Sequence, residues 1–378
     1  MIHGNDTAKD LPLEEVLRRH TCFQSGLALP LAMPSGGLAP SSGRIEVSFL
    51  SRYFCLAGLP LRNPKKDDFH RRTDKFSLSI NAPRLTLPED VAVVLRKRTA
   101  AFGDDTTRNG IGSRREPGTF SVGVPFGAKA RLLTVWLCSQ AQDPRRSSDD
   151  RWLDIGPIKP WLSSIGLRSH GDIPSLAKDQ LFKLTFASFT MQALADDLHL
   201  FSNEQLVEKA IFADRDLPYY ALGELDKVRW PVGLQLTTTA YERFRDSPIA
   251  IPTPRLTMVS NSPMAIDVLA YLCYRLPLLS HDDDELVTWQ TLASQFGSSE
   301  APSRFRQVFD ATLTKVMAAY PEANIEGEAE GLRIRRSDPL REIQPFISMA
   351  SAPPQVTAKR KLRNRSTSRH SPDAVKPS

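Results

Sequence analysis

Residues 302–320 read PSRFRQVFDATLTKVMAAY, and the way this stretch folds decides the architecture of the half of the chain around it. On a helical wheel of about 100° per residue, Phe305, Phe309, Leu313, Val316 and Tyr320 share a narrow arc. Ser303, Arg304, Gln307, Ala311, Thr314 and Ala318 point the other way, with Arg306, Asp310 and Lys315 flanking. Pro302 suits a first helical position and Pro321 stops the helix. The bulky arc needs a core to face, which leaves a slim polar flank outside. Small residues let a helix approach base edges, and Arg and Gln make paired hydrogen bonds to guanine and adenine. A solvated surface has a similar composition, so this helix alone leaves both readings open.

Outward from it, the pattern predicts a helix over 263–276, with Ile266, Leu269, Ala270, Leu272 and Cys273 on its apolar side. A second helix, Trp289 to Phe296, is closed by Gly297. Residues 323–336 alternate around a turn containing Gly331, which predicts a hairpin. Its Leu332 and Ile334 pack while Arg333, Arg335 and Arg336 face outward, either toward phosphate or toward Glu326, Glu328 and Glu330 across the turn. Helix, helix, turn, helix, hairpin is the order of a winged helix-turn-helix, whose third helix lies in the DNA major groove.

The first half carries a similar order less clearly. Phe76 to Ile80 alternates as a half-buried strand, and helices are expected over 128–141, 161–165 (closed by Gly166) and 173–187. A strand at 232–236 and a short helix at 240–245 precede a proline-rich connection through Pro248, Pro252 and Pro254. The segments WLSSIG (161–166) and LASQFG (292–297) share a weak likeness. The expected fold is therefore α+β, two tandem winged helix-turn-helix domains at 45–250 and 251–340. A flexible N-terminal segment (1–44) precedes them and a disordered basic tail (341–378) follows.

With 378 residues, 41% hydrophobic and 24% charged, the chain is long enough for two or three real cores. The net charge of +6 matches the six basic residues Lys359, Arg360, Lys361, Arg363, Arg365 and Arg369 of the tail, so the remainder is near neutral. Such an arm is drawn to polyanions, or simply solubilises the end of the chain. No apolar run is long enough to cross a membrane, and the stretch from Leu27 to Met33 is broken by Pro30. A cytoplasmic protein without membrane contact is expected.

Catalysis finds little footing. Gly123-Val-Pro-Phe-Gly127-Ala-Lys129 invites a phosphate-loop reading. Lys129, however, is followed by Ala130 instead of a hydroxyl, and its spacing from Gly127 is wrong, so the stretch reads as a turn entering a helix. The seven histidines are scattered, and His281-Asp-Asp-Asp-Glu285 reads as a solvated loop. Cys22, Cys55, Cys138 and Cys273 form no metal-binding spacing, and Cys138 and Cys273 read as small buried hydrophobes. The expectation is a protein that is not an enzyme, with no catalytic residue, metal or cofactor.

Taken in order, several stretches resemble the RepA-type initiators of bacterial plasmid replication over roughly 49–339. They are Leu59-Pro-Leu-Arg-Asn-Pro64 with Phe69 and Arg71-Arg72, Phe76-Ser-Leu-Ser79, and Gly123-Val-Pro-Phe-Gly127 with Ala130-Arg-Leu-Leu133. Trp230-Pro231, Ser262 to Arg275, Trp289 to Gly297, Tyr320-Pro-Glu-Ala323 and Glu330-Gly-Leu332 complete them. The resemblance implies tandem winged helices that bind repeated sites (iterons) in double-stranded origin DNA, distort the duplex and engage host replication proteins such as a helicase or its loader. Many members also repress their own gene. It points to Ser303, Arg304 and Gln307 for base reading, with Arg306 and Lys315 on phosphate and Thr314 beside them. In the first half it points to Ser175, Lys178 and Lys183, although Asp172 and Asp179 balance them and homodimer contact is an equal use of that helix. A transcriptional regulator with the same folds is the alternative.

Overall fold

The structure, a computed structural model, describes residues 46–337 and 348–349 except 74–75, 103–118, 144–145, 147–149, 165–166, 168, 196–197, 214, 247, 281–283 and 298–301. The expected N-terminal segment, the whole polar stretch at 104–118, and the basic tail at 341–378 apart from 348–349 lie outside the described residues.

The chain enters on β1 (Glu46–Leu50) and the short α1 (Arg52–Leu56). A hairpin of β2 (Asp68–Arg72) and β3 (Phe76–Asn81) follows; then β4 (Arg84–Thr86) pairs with β5 (Thr119–Ser121) across α2 (Glu89–Phe102). Gly123 and Gly127 hold φ of +79° and +75°, so the stretch read as a turn is one, and it delivers the chain into α3 (Gly127–Ala141). Instead of one apolar stripe, α3 is buried on almost every side, from Ala128 to Ala141.

From α3 onward a pattern of connection appears. β6 (Trp152–Asp154), α4 (Ile158–Ser164) and α5 (Ile173–Phe186) lead to a hairpin, β7 (Ser188–Ala195) and β8 (Leu198–Gln205). β9 (Val207–Ala210), α6 (Asp216–Ala221) and β10 (Gly233–Leu236) come next. α7 (Thr238–Arg245), β11 (Ile249–Pro252) and α8 (Thr253–Val259) bridge to the second half. There α9 (Pro263–Arg275), β12 (Asp284–Thr288), α10 (Trp289–Phe296), α11 (Pro302–Ala319), β13 (Ile325–Gly327) and β14 (Gly331–Arg335) follow, with β15 (Ser348–Met349) last.

Setting the β7–β8 hairpin and α6 aside, both halves run helix, strand, helix, helix, strand, strand. The sheets agree too: β6-β10-β9 and β12-β14-β13 each place the last strand between the other two, all antiparallel. Residues 161–164 and 292–296 of the two similar hexapeptides fall on the second helix of each half, where Trp161 and Leu292 are fully buried. The inserted hairpin builds a separate sheet, β2-β3-β7-β8.

Local chemistry sets these boundaries. Ser262, Thr288 and Thr237 accept from Ala265, Thr291 and Ala240 backbone N–H groups, capping α9, α10 and α7. One expectation changes. Residues 284–285, read as solvated loop, begin β12, which holds β14 along its whole length. Gly331 allows that approach, because a Cβ there would lie 2.2 Å from the Val287 carbonyl oxygen. At the seam between halves β11 pairs with β1, and one hydrophobic core runs from Leu50 to Ile334. Within its first half, Trp161 lies 5.9 Å from Trp136 and 5.0 Å from Trp230, ring centre to ring centre.

Candidate nucleic-acid interface

α11 buries Phe305, Phe309, Val316 and Tyr320, as its wheel requires, and leaves Ser303, Arg304, Gln307, Ala311, Thr314, Lys315 and Ala318 exposed. Its buried face extends toward Thr312 and Ala319 and leaves Leu313 only half-buried, because α11 lies against both α9 and α8. The Thr312 hydroxyl is satisfied by donating to the Val308 carbonyl, 2.8 Å away. The exposed flank therefore holds Ser303, Arg304 and Gln307 near the helix start and Thr314 and Lys315 farther along, with the carboxylate of Asp310 beside them.

Arg306 is committed differently. Its guanidinium lies 4.7 Å above the Trp289 ring and donates to the Ala329 and Glu328 carbonyls at 3.4 Å, tying the start of α11 to the β13–β14 turn. The hairpin arginines also have partners. Arg333 donates to both Glu328 oxygens and lies 3.1 Å from Asp284, while Arg335 lies 3.3 Å from Glu326. Arg336 donates to the Leu279 carbonyl at 2.9 Å. The Arg333 hydrogen bond holds the Glu328 carboxyl below the usual carboxylate range. Of the two uses the sequence left open for this hairpin, pairing across the turn is the one seen.

The first-half residues do not join this surface. Lys183 is 1% exposed, 2.9 Å from Asp179 and 4.7 Å above the Phe126 ring. Asp179 also accepts from Gln180 (2.7 Å) and from the Tyr220 hydroxyl (2.9 Å), which burial raises well above its ordinary pKa. This correction has a physical cause: the loop entering α3 packs on α5, with the Phe126 N–H on Gln180, and a cation under that loop needs a buried counter-ion. Lys178 donates to the Leu225 and Val228 carbonyls, and Ser175 is half-buried.

A buried polar network, not expected as a site, joins the halves. Arg131 of α3 donates from Nε and Nη2 to the two Asp267 oxygens of α9 at 2.7 and 2.6 Å, and to the carbonyls of Leu59 (2.5 Å), Pro60 (3.0 Å) and Gly127 (3.1 Å). Arg71 of β2 donates to the Gln295 carbonyl and, at 3.1 Å, to the Gly297 carbonyl at the end of α10. Gln295 in turn donates to the Cys55 carbonyl at 3.0 Å. Burial lowers the Arg71 pKa to about 10, opposed by the charge of Asp267. The signal for this network was a lone charge within an apolar run, Arg131 in ARLLTVWLC and Asp267 in MAIDVLAYLC.

Among the described residues no group of His, Cys, Asp or Glu could hold a metal ion, and no helix is long and apolar enough to cross a membrane. Comparison with family models finds no match, and no curated protein matches. Solved structures similar to the chain include the selenomethionine derivative of domains 2 and 3 of RctB. It shares 10% identity over 70% of this chain and 85% of that one, at a TM-score of 0.39. A second, of RctB domains 2–3 spanning its residues 155–483, shares 12% identity over 72% and 83%, at a TM-score of 0.35. Likeness at that level is too coarse to assign function or residue roles.

Proposed function

We propose that this chain is a replication initiator of the RepA type. In this reading two tandem winged helix-turn-helix units bind repeated double-stranded sites at a plasmid origin through α11, without catalysis of their own. The supporting observation is the exposed flank of Ser303, Arg304 and Gln307, carried on a helix–strand–helix–helix–strand–strand unit whose connectivity the first half repeats. A helix preceded by a short helix and backed by a three-stranded sheet can enter a major groove with its N-terminal residues at the base edges.

Ser303, Arg304 and Gln307 then read bases, and Lys315 and Thr314 contact the backbone. Phosphate neutralisation supplies affinity and salt dependence, base contacts supply register, and added contacts offset the energy of deforming the duplex. The first unit, whose α5 buries Lys183 and commits Lys178 to backbone carbonyls, serves protein contact: a second copy of the chain or a host helicase or its loader. Repression of its own promoter and a cytoplasmic location belong to the same reading.

The test places the gene with its neighbouring DNA on a vector lacking any other origin. The proposal expects maintenance that Arg304→Ala with Gln307→Ala abolishes, together with footprints on short repeats beside the gene. Footprints without maintenance would leave a transcriptional regulator, and protection of no sequence would overturn the reading of α11.

A further inference from the structure

We infer that Arg71 is a positioning residue for duplex recognition: by holding the last carbonyls of α10, a strand of the first half fixes the helix on which α11 packs. The inference rests on the reading of α11 as the base-reading helix.

A helix end leaves its final carbonyls without intrahelical donors. At the end of α10 they are met by a guanidinium from a strand 224 and 226 residues away in the chain. Gln295 returns a hydrogen bond to the Cys55 carbonyl, so the contact is reciprocal. α11 packs directly on α10, with the Phe309 ring centre 6.0 Å from that of Phe296 and 5.9 Å from that of Trp289, so a displaced α10 would carry α11 with it. The planar fork of Arg spans two acceptors at once, which a lysine ammonium cannot do in the same geometry.

A second attachment fixes the orientation of the unit. Arg131 holds α9 through both oxygens of Asp267, and the charges of Asp267 and Arg131 both act on Arg71. The backbone is drawn in so closely that a Cβ at Gly58 would lie 2.7 Å from Asp267 Oδ2. The first half thus grips the unit at its first helix and at the end of its second, two separate points. Of the stretches that carry the family resemblance, those holding Leu59, Arg71, Arg131, Asp267 and Gly297 contribute to these contacts.

The experiment uses the full chain and a duplex that the wild type enriches from a random-sequence library, beside a duplex of unrelated sequence. Arg71→Met is expected to weaken the selected duplex by ~10-fold or more while changing the unrelated one less than about twofold, because misplacement costs base contacts before phosphate contacts. Arg71→Lys should recover part of the loss, and circular dichroism should match the wild type. If Arg71→Met does not fold, Gln295→Met, which removes only the return hydrogen bond, should lower the same ratio. A wild type that enriches no sequence would overturn the reading of α11. A wild type that enriches one, with the folded variants keeping its ratio, would overturn the role of Arg71 alone.

Discussion

Arg304 and Gln307 stand one turn apart on the exposed flank of α11, where each can reach a different base pair. Replacing either by Ala should cost about 1–3 kcal/mol and relax preference at a single position, measured by titrating duplexes changed one base pair at a time. Uniform weakening across all duplexes would move that residue to the backbone. Lys183 gives the opposite expectation. Its ammonium lies between Asp179 and Phe126, so Lys183→Met should leave DNA affinity unchanged and lower stability by roughly 3 kcal/mol in denaturant unfolding. The sequence could not separate the two cases, since Asp179 and Lys183 at an i,i+4 spacing look like a surface pair until the loop that covers them is known. The cysteines were more legible. Cys55, Cys138 and Cys273 are buried, and burial raises the Cys55 thiol and pushes Cys138 up to about 12. With Cys22 changed to Ser, the native chain should resist a thiol reagent that labels it rapidly in denaturant.

At the scale of elements, α11 followed from its periodicity and proline boundaries, whereas β12 did not. Its opening Asp284 and Glu285 resemble loop residues, and only pairing with Arg335 and Ile334 makes them strand. Composition likewise could not say whether the arginines of β14 were available. They face Glu326, Glu328 and Asp284, so the hairpin presents little net charge. The carboxyl of Glu328 titrates below its unfolded value; the pair therefore stabilises the hairpin above the ordinary carboxylate range and fades as pH falls through the lowered pKa. Converting Glu326 and Glu328 to Gln and Asp284 to Asn should release Arg333 and Arg335, raise affinity for DNA of any sequence and steepen the salt dependence by about two charges. An unchanged slope would mean that this hairpin stands away from the duplex.

Across the whole molecule, the main helices of each half could be read from the chain, but the union of the halves could not. Residues 136 positions apart (Arg131 and Asp267) or 224 apart (Arg71 and Gln295) leave no periodic trace of their contact. Asp267→Leu strands Arg131 in the interior, and a loss of about 3–5 kcal/mol is expected in urea unfolding. Because one core spans both halves, the wild type should unfold in a single cooperative transition whether followed by circular dichroism or fluorescence. Two separated transitions would contradict that continuity. The same architecture equips the protein with its own optical reporter. Trp136, Trp161 and Trp230 couple to one another in the first half, while Trp289, capped by the Arg306 cation, sits in the second half beside the start of α11. If a bound duplex displaces that cation from the indole, the emission of Trp289 should shift. Occupancy of α11 can thus be followed without attaching any dye.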